Sequence, residues 1–170
     1  TRMNSLLIVL VALCLHCINA ATYRVVVGWQ TANDAMGPQW YSLWFYPPSL
    51  TIAYGDSVTW VSPTLELHNV VFTNGTRQSE TMPNGVNLTA IAGVVGNTTH
   101  FVSYADTYSS GFRANNAPAY TLTFIPNTGS GTFQYYCSIH PGMDGTITVL
   151  PQGQAAPLTP AAVNQAVDNQ

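Results

Sequence analysis

Short runs of β-branched and aromatic residues, separated by turn signals, constrain the fold of this chain most strongly. The runs span residues 23–29, 50–54, 57–61, 67–73, 120–124, 132–137 and 145–150. Several alternate apolar and polar side chains, which is typical of strands that bury one face. No segment keeps a capped apolar period of 3.6 residues, as an amphipathic helix would. The pattern therefore predicts an all-β sandwich or barrel.

The chain carries very little charge. Charged residues make up 6% of its 170 residues, lysine is absent, and the net charge is −3. Nucleic-acid binding needs clustered Lys and Arg side chains, so the composition excludes that class of partner. The length predicts one domain with a tail, and the low-charge composition favours an extracellular protein.

The first residues have the layout of a secretory signal peptide. Arg2 lies in a short polar start, an apolar run covers residues 6–15, and small residues follow at Ala20 and Ala21. The apolar run is shorter than the roughly 20 residues of a membrane span, although an uncleaved signal anchor is the alternative. We expect residues 1–20 to be removed, which leaves a secreted domain over 21–150 with no membrane span.

Two further segments stand apart from the strand pattern. Residues 74–118 are expected to form a glycosylated insertion that crosses from one sheet to the other, with strand character only near 99–104. The insertion contains three glycosylation sequons, at Asn74, Asn87 and Asn97. Residues 151–170 consist largely of Pro, Gln, Ala and Asn and have little apolar bulk, so they are expected to form a disordered tail.

Removal of the signal peptide leaves one cysteine. Cys14 and Cys17 lie within residues 1–20, and only Cys137 lies beyond them. A single cysteine cannot close an internal disulfide. It can pair with another chain, remain a thiol, or take part in chemistry.

Cys137 begins a group of metal-binding side chains. Cys137, His140 and Met143 are spaced three residues apart, and Pro141 and Gly142 favour a compact loop over a helix. A thiolate, an imidazole and a thioether suit copper, above all Cu(I), better than hard cations. His68 is the best candidate for a second imidazole, because it lies in an apolar run where a protonated ring would be costly.

Each of these residues also has a structural interpretation. Cys137 alone could be a buried core thiol, His68 a hydrogen-bonded core histidine, and Met143 a residue that fills a gap in the core. Their occurrence together in this order favours the metal site. His100 has no partner motif and is expected to be structural or exposed.

The chain resembles the cupredoxins, the small blue-copper proteins such as plastocyanin and amicyanin. The resemblance lies in residues 55–60 (GDSVTW), 68–70 (HNV) and 136–145 (YCSIHPGMDG). It implies a Greek-key β-sandwich of about seven or eight strands. It also implies one copper ion, with His68, Cys137 and His140 as equatorial ligands and Met143 as a weak axial ligand. Asn69 resembles the family residue that ties the two ligand loops together.

The resemblance implies one-electron transfer rather than enzymatic activity. His-x-His pairs, which multicopper oxidases need, do not occur in the sequence. A secreted monomer that docks transiently onto a redox partner is therefore the leading hypothesis. The alternative is an extracellular protein that binds and delivers copper without an electron-transfer role.

Overall fold

The structure is a computed structural model that describes residues 20–30, 41–73, 99–115 and 117–169. Within these residues the chain forms ten strands and one helix. The strands are β1 (Thr22–Gln30), β2 (Tyr41–Tyr46), β3 (Ser49–Ile52), β4 (Ser57–Val61), β5 (Val71–Phe72), β6 (His100–Phe101), β7 (Tyr108–Ser109), β8 (Tyr120–Phe124), β9 (Gly131–Tyr136) and β10 (Asp144–Val149). The helix is α1 (Pro160–Asp168).

The strands form two five-stranded sheets. The first has the order β2-β1-β4-β8-β6, and the second has the order β3-β10-β9-β5-β7. Most neighbouring strands are antiparallel, whereas β1 and β4, β3 and β10, and β6 and β8 are parallel pairs. The prediction of an all-β sandwich is confirmed, with more strands than expected because several are only two residues long.

The alternating runs predicted most of these strands closely. The runs at 57–61 and 120–124 have the bounds of β4 and β8. The run at 67–73 is mostly irregular, because only Val71–Phe72 pairs as a strand. The sequence pattern did not predict β2, which lies at the edge of its sheet and buries Phe45 while exposing Leu43 and Trp44. An edge strand with apolar side chains on both faces has no clear alternation to detect.

Aromatic side chains fill the space between the sheets. The ring of Trp60, which is 1% exposed, lies 5.8 Å from Phe72 and 5.4 Å from Tyr135, both edge to face. Phe101 and Phe124 stack at 5.2 Å in the same cluster. Each such pair stabilises the fold by about 0.5–1.5 kcal/mol in addition to the stabilisation from the apolar area that it buries. Tyr135 faces this core two residues before Cys137, so the core fixes the strand that leads into the candidate ligand loop.

Part of the predicted insertion belongs to the sandwich. Residues 99–115 contribute β6 to the first sheet and β7 to the second, so the chain does cross between the sheets here. Phe101 and Tyr108 from this segment are buried in the core. The strand character expected near 99–104 agrees with β6, whereas β7 was not predicted, because a strand of two residues is too short to show alternation. Residues 99–115 are therefore part of the sandwich rather than of an insertion.

The expected disordered tail is also corrected, because residues 160–168 form helix α1. Thr159 accepts a hydrogen bond from the backbone N–H of Ala162 and Pro160 occupies the first turn, which is a favourable start for a helix. Val163 is buried against the core, and the Tyr23 hydroxyl donates to the carbonyl of Leu158 at 2.9 Å. The composition of residues 151–170 indicated too few apolar side chains for this segment to fold by itself. The helix nevertheless forms, because Val163 packs against a sandwich that is already folded.

Other predictions concern residues that the structure does not describe. The candidate signal peptide lies almost wholly outside the described residues, and so do Asn74, Asn87 and Asn97. Among the helices of the described ranges, none has both the length and the apolar character that crossing a membrane requires.

Candidate metal centre

The loop between β9 and β10 is closed by its own backbone. The N–H of Cys137 donates to the carbonyl of Met143 at 3.0 Å, and the N–H of Met143 donates to the carbonyl of His140 at 3.2 Å. Gly142 has a φ of +81°, a left-handed conformation that favours glycine. Cys137 and Met143 therefore lie at the base of a compact loop, and both are fully buried.

His68 reaches the same place from the segment before β5. Its N–H donates to the carbonyl of Arg113 at 2.9 Å, and the N–H of Arg113 donates back to the carbonyl of His68 at 2.7 Å. This isolated bridge holds His68 with only 1% of its surface exposed. The backbone of His68 is thus fixed by pairing with a segment distant in sequence.

The structure brings one sulfur and two ring nitrogens together. The Sγ atom of Cys137 lies 4.0 Å from Nδ1 of His68 and 3.4 Å from Nδ1 of His140. Ligand atoms of all three residues lie within 4.8 Å of one another. Three ligands bound about 2.0–2.3 Å from one ion lie roughly 3.4–4 Å apart, so the arrangement has the dimensions of a metal site.

The donor set favours copper over other metals. A thiolate with two imidazoles, and a buried thioether in the same loop, is the combination typical of blue-copper sites. Burial first, and the neighbouring His140 second, together lower the pKa of His68 to about 4. The ring is therefore neutral at neutral pH and presents a lone pair to a metal ion.

Asn69 links the two segments that carry the candidate ligands. Its side chain donates from Nδ2 to the hydroxyl of Ser138 and accepts at Oδ1 from the Ser138 N–H, both at 2.8 Å. Its backbone N–H lies 3.5 Å from Sγ of Cys137. Asn69 thus stands where the resemblance to cupredoxins implied, between the two ligand segments. Hydrogen bonds to the sulfur reduce its electron density and tune the metal.

Sequence reasoning missed two residues of this region. Ser138 completes the reciprocal hydrogen bonds with Asn69, and its position directly after Cys137 was the available signal. Glu66 accepts a hydrogen bond at 3.3 Å from Nε2 of His140. Its place two residues before His68 was the only signal, because the contact spans 74 residues of sequence. His100 lies outside the group, with an exposed ring bonded to the hydroxyl of Thr99.

Comparison with known proteins identifies the family. Residues 32–150 match the family described as copper binding proteins, plastocyanin/azurin family. The chain belongs to this family. It is therefore a cupredoxin, a member of a family of copper-binding electron-transfer proteins, and its cofactor is one copper ion. His68, Cys137, His140 and Met143 are arranged like a type-1 copper site.

Curated relatives agree with this family. A plastocyanin from Scenedesmus fuscus is 34% identical over 110 residues, which are 64% of this chain and 88% of that protein. An amicyanin from Paracoccus denitrificans is 30% identical over 102 residues, which are 60% of this chain and 55% of that protein. Among solved structures, a reduced Cu(I) form of an amicyanin variant aligns at 24% identity over 78% of this chain and 83% of its own, with a TM-score of 0.44.

Proposed function

We propose that this cupredoxin is a secreted protein that carries single electrons between redox partners. His68, Cys137 and His140 would be the three strong ligands of its copper, and Met143 would be a weak fourth ligand. The observation that carries the proposal is the convergence of Sγ of Cys137 and the two Nδ1 atoms in a buried site. Copper held by these residues would supply the one-electron chemistry of the Cu(II)/Cu(I) couple.

The chain contributes rigidity to this function. Fast electron transfer requires ligand positions that suit both oxidation states, so that little rearranges when the charge changes. The bridge between His68 and Arg113 fixes one ligand, and the reciprocal bonds between Asn69 and Ser138 fix the loop of the others. The surrounding core excludes water, which helps to set the reduction potential.

His140 offers the route for the electron. Its side chain is 12% exposed, whereas His68 is buried. Leu65 and Leu67 are about half exposed on the neighbouring segment and provide apolar surface for docking. A chain with a net charge of −3 and 6% charged residues favours weak, transient docking with little electrostatic steering. We also propose that the protein is a monomer, and that it is an electron carrier rather than an enzyme.

The sequence supports passage through the secretory pathway. We propose that residues 1–20 are a cleaved signal peptide and that Asn74, Asn87 and Asn97 carry glycans. Mass spectrometry of the protein purified from a secreting host, before and after enzymatic deglycosylation, tests both features. We expect an N-terminus near Ala21 and a loss of mass at the three asparagines. An unprocessed N-terminus or unmodified asparagines would contradict the corresponding assignment.

The visible spectrum tests the copper site and its role. We expect the oxidised copper protein to absorb strongly in the orange-red, to bleach on reduction, and to regain its colour on reoxidation. Cys137→Ser should remove this absorption while far-UV circular dichroism stays unchanged, because the serine is nearly the same size as the cysteine. His100→Asn is the matched control, because the exposed His100 lies away from the site, and it should keep the colour.

Two results would count against the proposal. Retained colour in the Cys137→Ser variant would refute the thiolate ligand. A colourless wild-type protein that binds copper and releases it to a competing chelator would favour copper delivery over electron transfer.

A further inference from the structure

The exposed edge of His140 contacts an acidic side chain. Nε2 of His140 and Oε1 of Glu66 lie 3.3 Å apart, and the side chain of Glu66 is 42% exposed. The two residues come from different segments, because Glu66 lies on the segment of His68 and His140 lies in the loop after β9. The carboxylate therefore adjoins the ring edge through which the proposed electron transfer passes.

The segment that carries Glu66 is held in place by hydrogen bonds. The hydroxyl of Thr64, a fully buried residue, donates to the carbonyl of Glu66 at 3.2 Å. The N–H of Leu65 donates to Oε1 of Gln30 at 3.0 Å, and the N–H of Asn115 donates to the carbonyl of Thr64 at 2.6 Å. These bonds fix the backbone on both sides of the carboxylate. The contact with His140 is thus part of an ordered structure rather than a chance pairing of long surface side chains.

The hydrogen bond to Glu66 selects one tautomer of the His140 ring. An ionised carboxylate only accepts hydrogen bonds, so Nε2 of His140 must carry the proton. In a neutral ring Nδ1 is then unprotonated, and its lone pair faces Sγ of Cys137 at 3.4 Å. A carboxylate that accepts from the outer nitrogen of a ligand histidine fixes the ring and increases its basicity.

We propose that Glu66 is a positioning residue for the copper site. Its carboxylate holds His140 in the Nε2–H form, and its negative charge at the outer edge of the ring favours Cu(II) over Cu(I), which lowers the reduction potential. The second part of this inference rests on the proposed function, whereas the first concerns the copper-free protein as well.

The size of the electrostatic effect follows from the surroundings of the carboxylate. Leu65 and Leu67 flank Glu66 and are 56% and 51% exposed, so apolar side chains replace part of the water around the charge. At an intermediate dielectric constant, one charge on the far side of an imidazole ring changes the Cu(I) to Cu(II) affinity ratio about tenfold. A tenfold change corresponds to about 59 mV for a one-electron couple.

Measurement of the reduction potential tests the electrostatic part. Glu66→Gln keeps the size of the side chain and an oxygen acceptor but removes the charge, and we expect it to raise the potential by about 59 mV. Asp106→Asn is the matched control. It removes the same charge from an exposed residue in the connection between β6 and β7, at the end of the sandwich away from the site. We expect no shift there, because solvent screens distant exposed charges. Equal potentials for wild type and Glu66→Gln would overturn the electrostatic role.

Nuclear magnetic resonance of the copper-free protein tests the positioning part independently of copper. Long-range ¹H–¹⁵N spectra of the histidine rings distinguish the Nε2–H and Nδ1–H forms. We expect the Nε2–H form of His140 in the wild type and a mixture of both forms in Glu66→Ala. An unchanged single form in Glu66→Ala, or an Nδ1–H form in the wild type, would overturn this role. A wild-type protein without a blue-copper spectrum would refute the proposed function, but the ring spectra would still decide the role of Glu66.

Discussion

At the scale of single residues, Gly28 shows how closely the backbone surrounds the copper site. Gly28 has a φ of +71°, and a Cβ atom there would lie 2.6 Å from Nε2 of His68. That nitrogen is buried and has no hydrogen-bond partner within the described part of the chain. Glycine is therefore required at this position for two reasons: the backbone is left-handed, and the imidazole of His68 occupies the place of a Cβ atom.

Gly28→Ala should displace His68 from the site. We expect copper affinity to fall about tenfold to hundredfold, because loss of ligand orientation has effects of that size. Equilibrium titration against a competing chelator measures the affinity. Gly129→Ala is the control, since Gly129 has a similar φ of +77° but no atom within 4 Å of its Cβ position. Equal affinity losses in both variants would show that backbone strain, rather than contact with His68, is responsible.

The buried His68 also makes the stability of the copper-free protein depend on pH. Its pKa is about 4 in the folded protein and about 6.5 when unfolded. The unfolded chain therefore binds a proton first as the pH falls, so the free energy of unfolding decreases between about pH 6.5 and pH 4. Above this window His68 has no effect on the pH dependence. The pKa shift of His68 corresponds to a decrease of about 3 kcal/mol in the free energy of unfolding across this window.

Urea unfolding of the copper-free protein between pH 7 and pH 4 measures this dependence. His68→Gln should flatten the curve in this window relative to the wild type, because the glutamine does not titrate. Carboxyl groups contribute equally to the pH dependence of both proteins. The difference between the two curves is therefore the contribution of His68. Parallel curves would contradict the shifted pKa.

At the scale of elements, helix α1 packs against β1 through few contacts. Val163 is its buried residue, and the ion pair between Arg24 and Asp168 joins its last turn to the strand. An exposed ion pair of this kind contributes about 0–1 kcal/mol, so most of the attachment comes from the valine and from the bond between Tyr23 and Leu158. The helix stabilises the sandwich from outside rather than forming part of its core sheets.

Val163→Ala should therefore lower the free energy of unfolding without changing the copper site. The loss of two buried methyl groups predicts a decrease of about 1–2 kcal/mol, measured by chemical denaturation. The visible absorption should be unchanged, because the helix does not contribute to the candidate ligand set. Gln165→Ala, on the exposed side of the helix, is the control and should have little effect. Equal stabilities of the two variants would show that the helix is not anchored through Val163.

At the scale of the whole molecule, the copper site is continuous with the core, because Cys137 and Met143 belong to the buried core. The aromatic cluster around Trp60 joins the two sheets without any candidate ligand. The site lies at one end, where the loop after β9 meets the segment before β5. Hydrophobic burial therefore supplies the fold, and the metal adds stability to a site that is already assembled.

Removal of copper should lower the melting temperature but leave the fold intact. A ligand that is 1,000-fold above its dissociation constant stabilises the folded state by about 4 kcal/mol, which corresponds to a shift of roughly 10 °C for a chain of this size. Differential scanning calorimetry with and without a chelator measures the shift, and far-UV circular dichroism checks the fold. Cys137→Ser should show no response to copper. A random-coil spectrum after chelation would mean that folding depends on the metal.

Prediction from sequence succeeded where the signal is local. Alternation set the bounds of β4 and β8, because a two-residue period directly reflects which face of a strand is buried. The ligand types in the loop from Cys137 to Met143 indicated copper through their chemistry. It failed for β7, which is too short to show a period, and for α1, which buries only one side chain, Val163.

By itself the sequence determined the class of fold, the choice of metal and the candidate ligands, because periodicity and donor chemistry are properties of neighbouring residues. Only the tertiary structure decided that His68 meets Cys137, that Gly28 makes room for the imidazole, and that Glu66 reaches the outer edge of His140. These contacts join residues that are distant along the chain. No local pattern encodes them, since they arise only when the two sheets pack and bring their connecting segments to the same end.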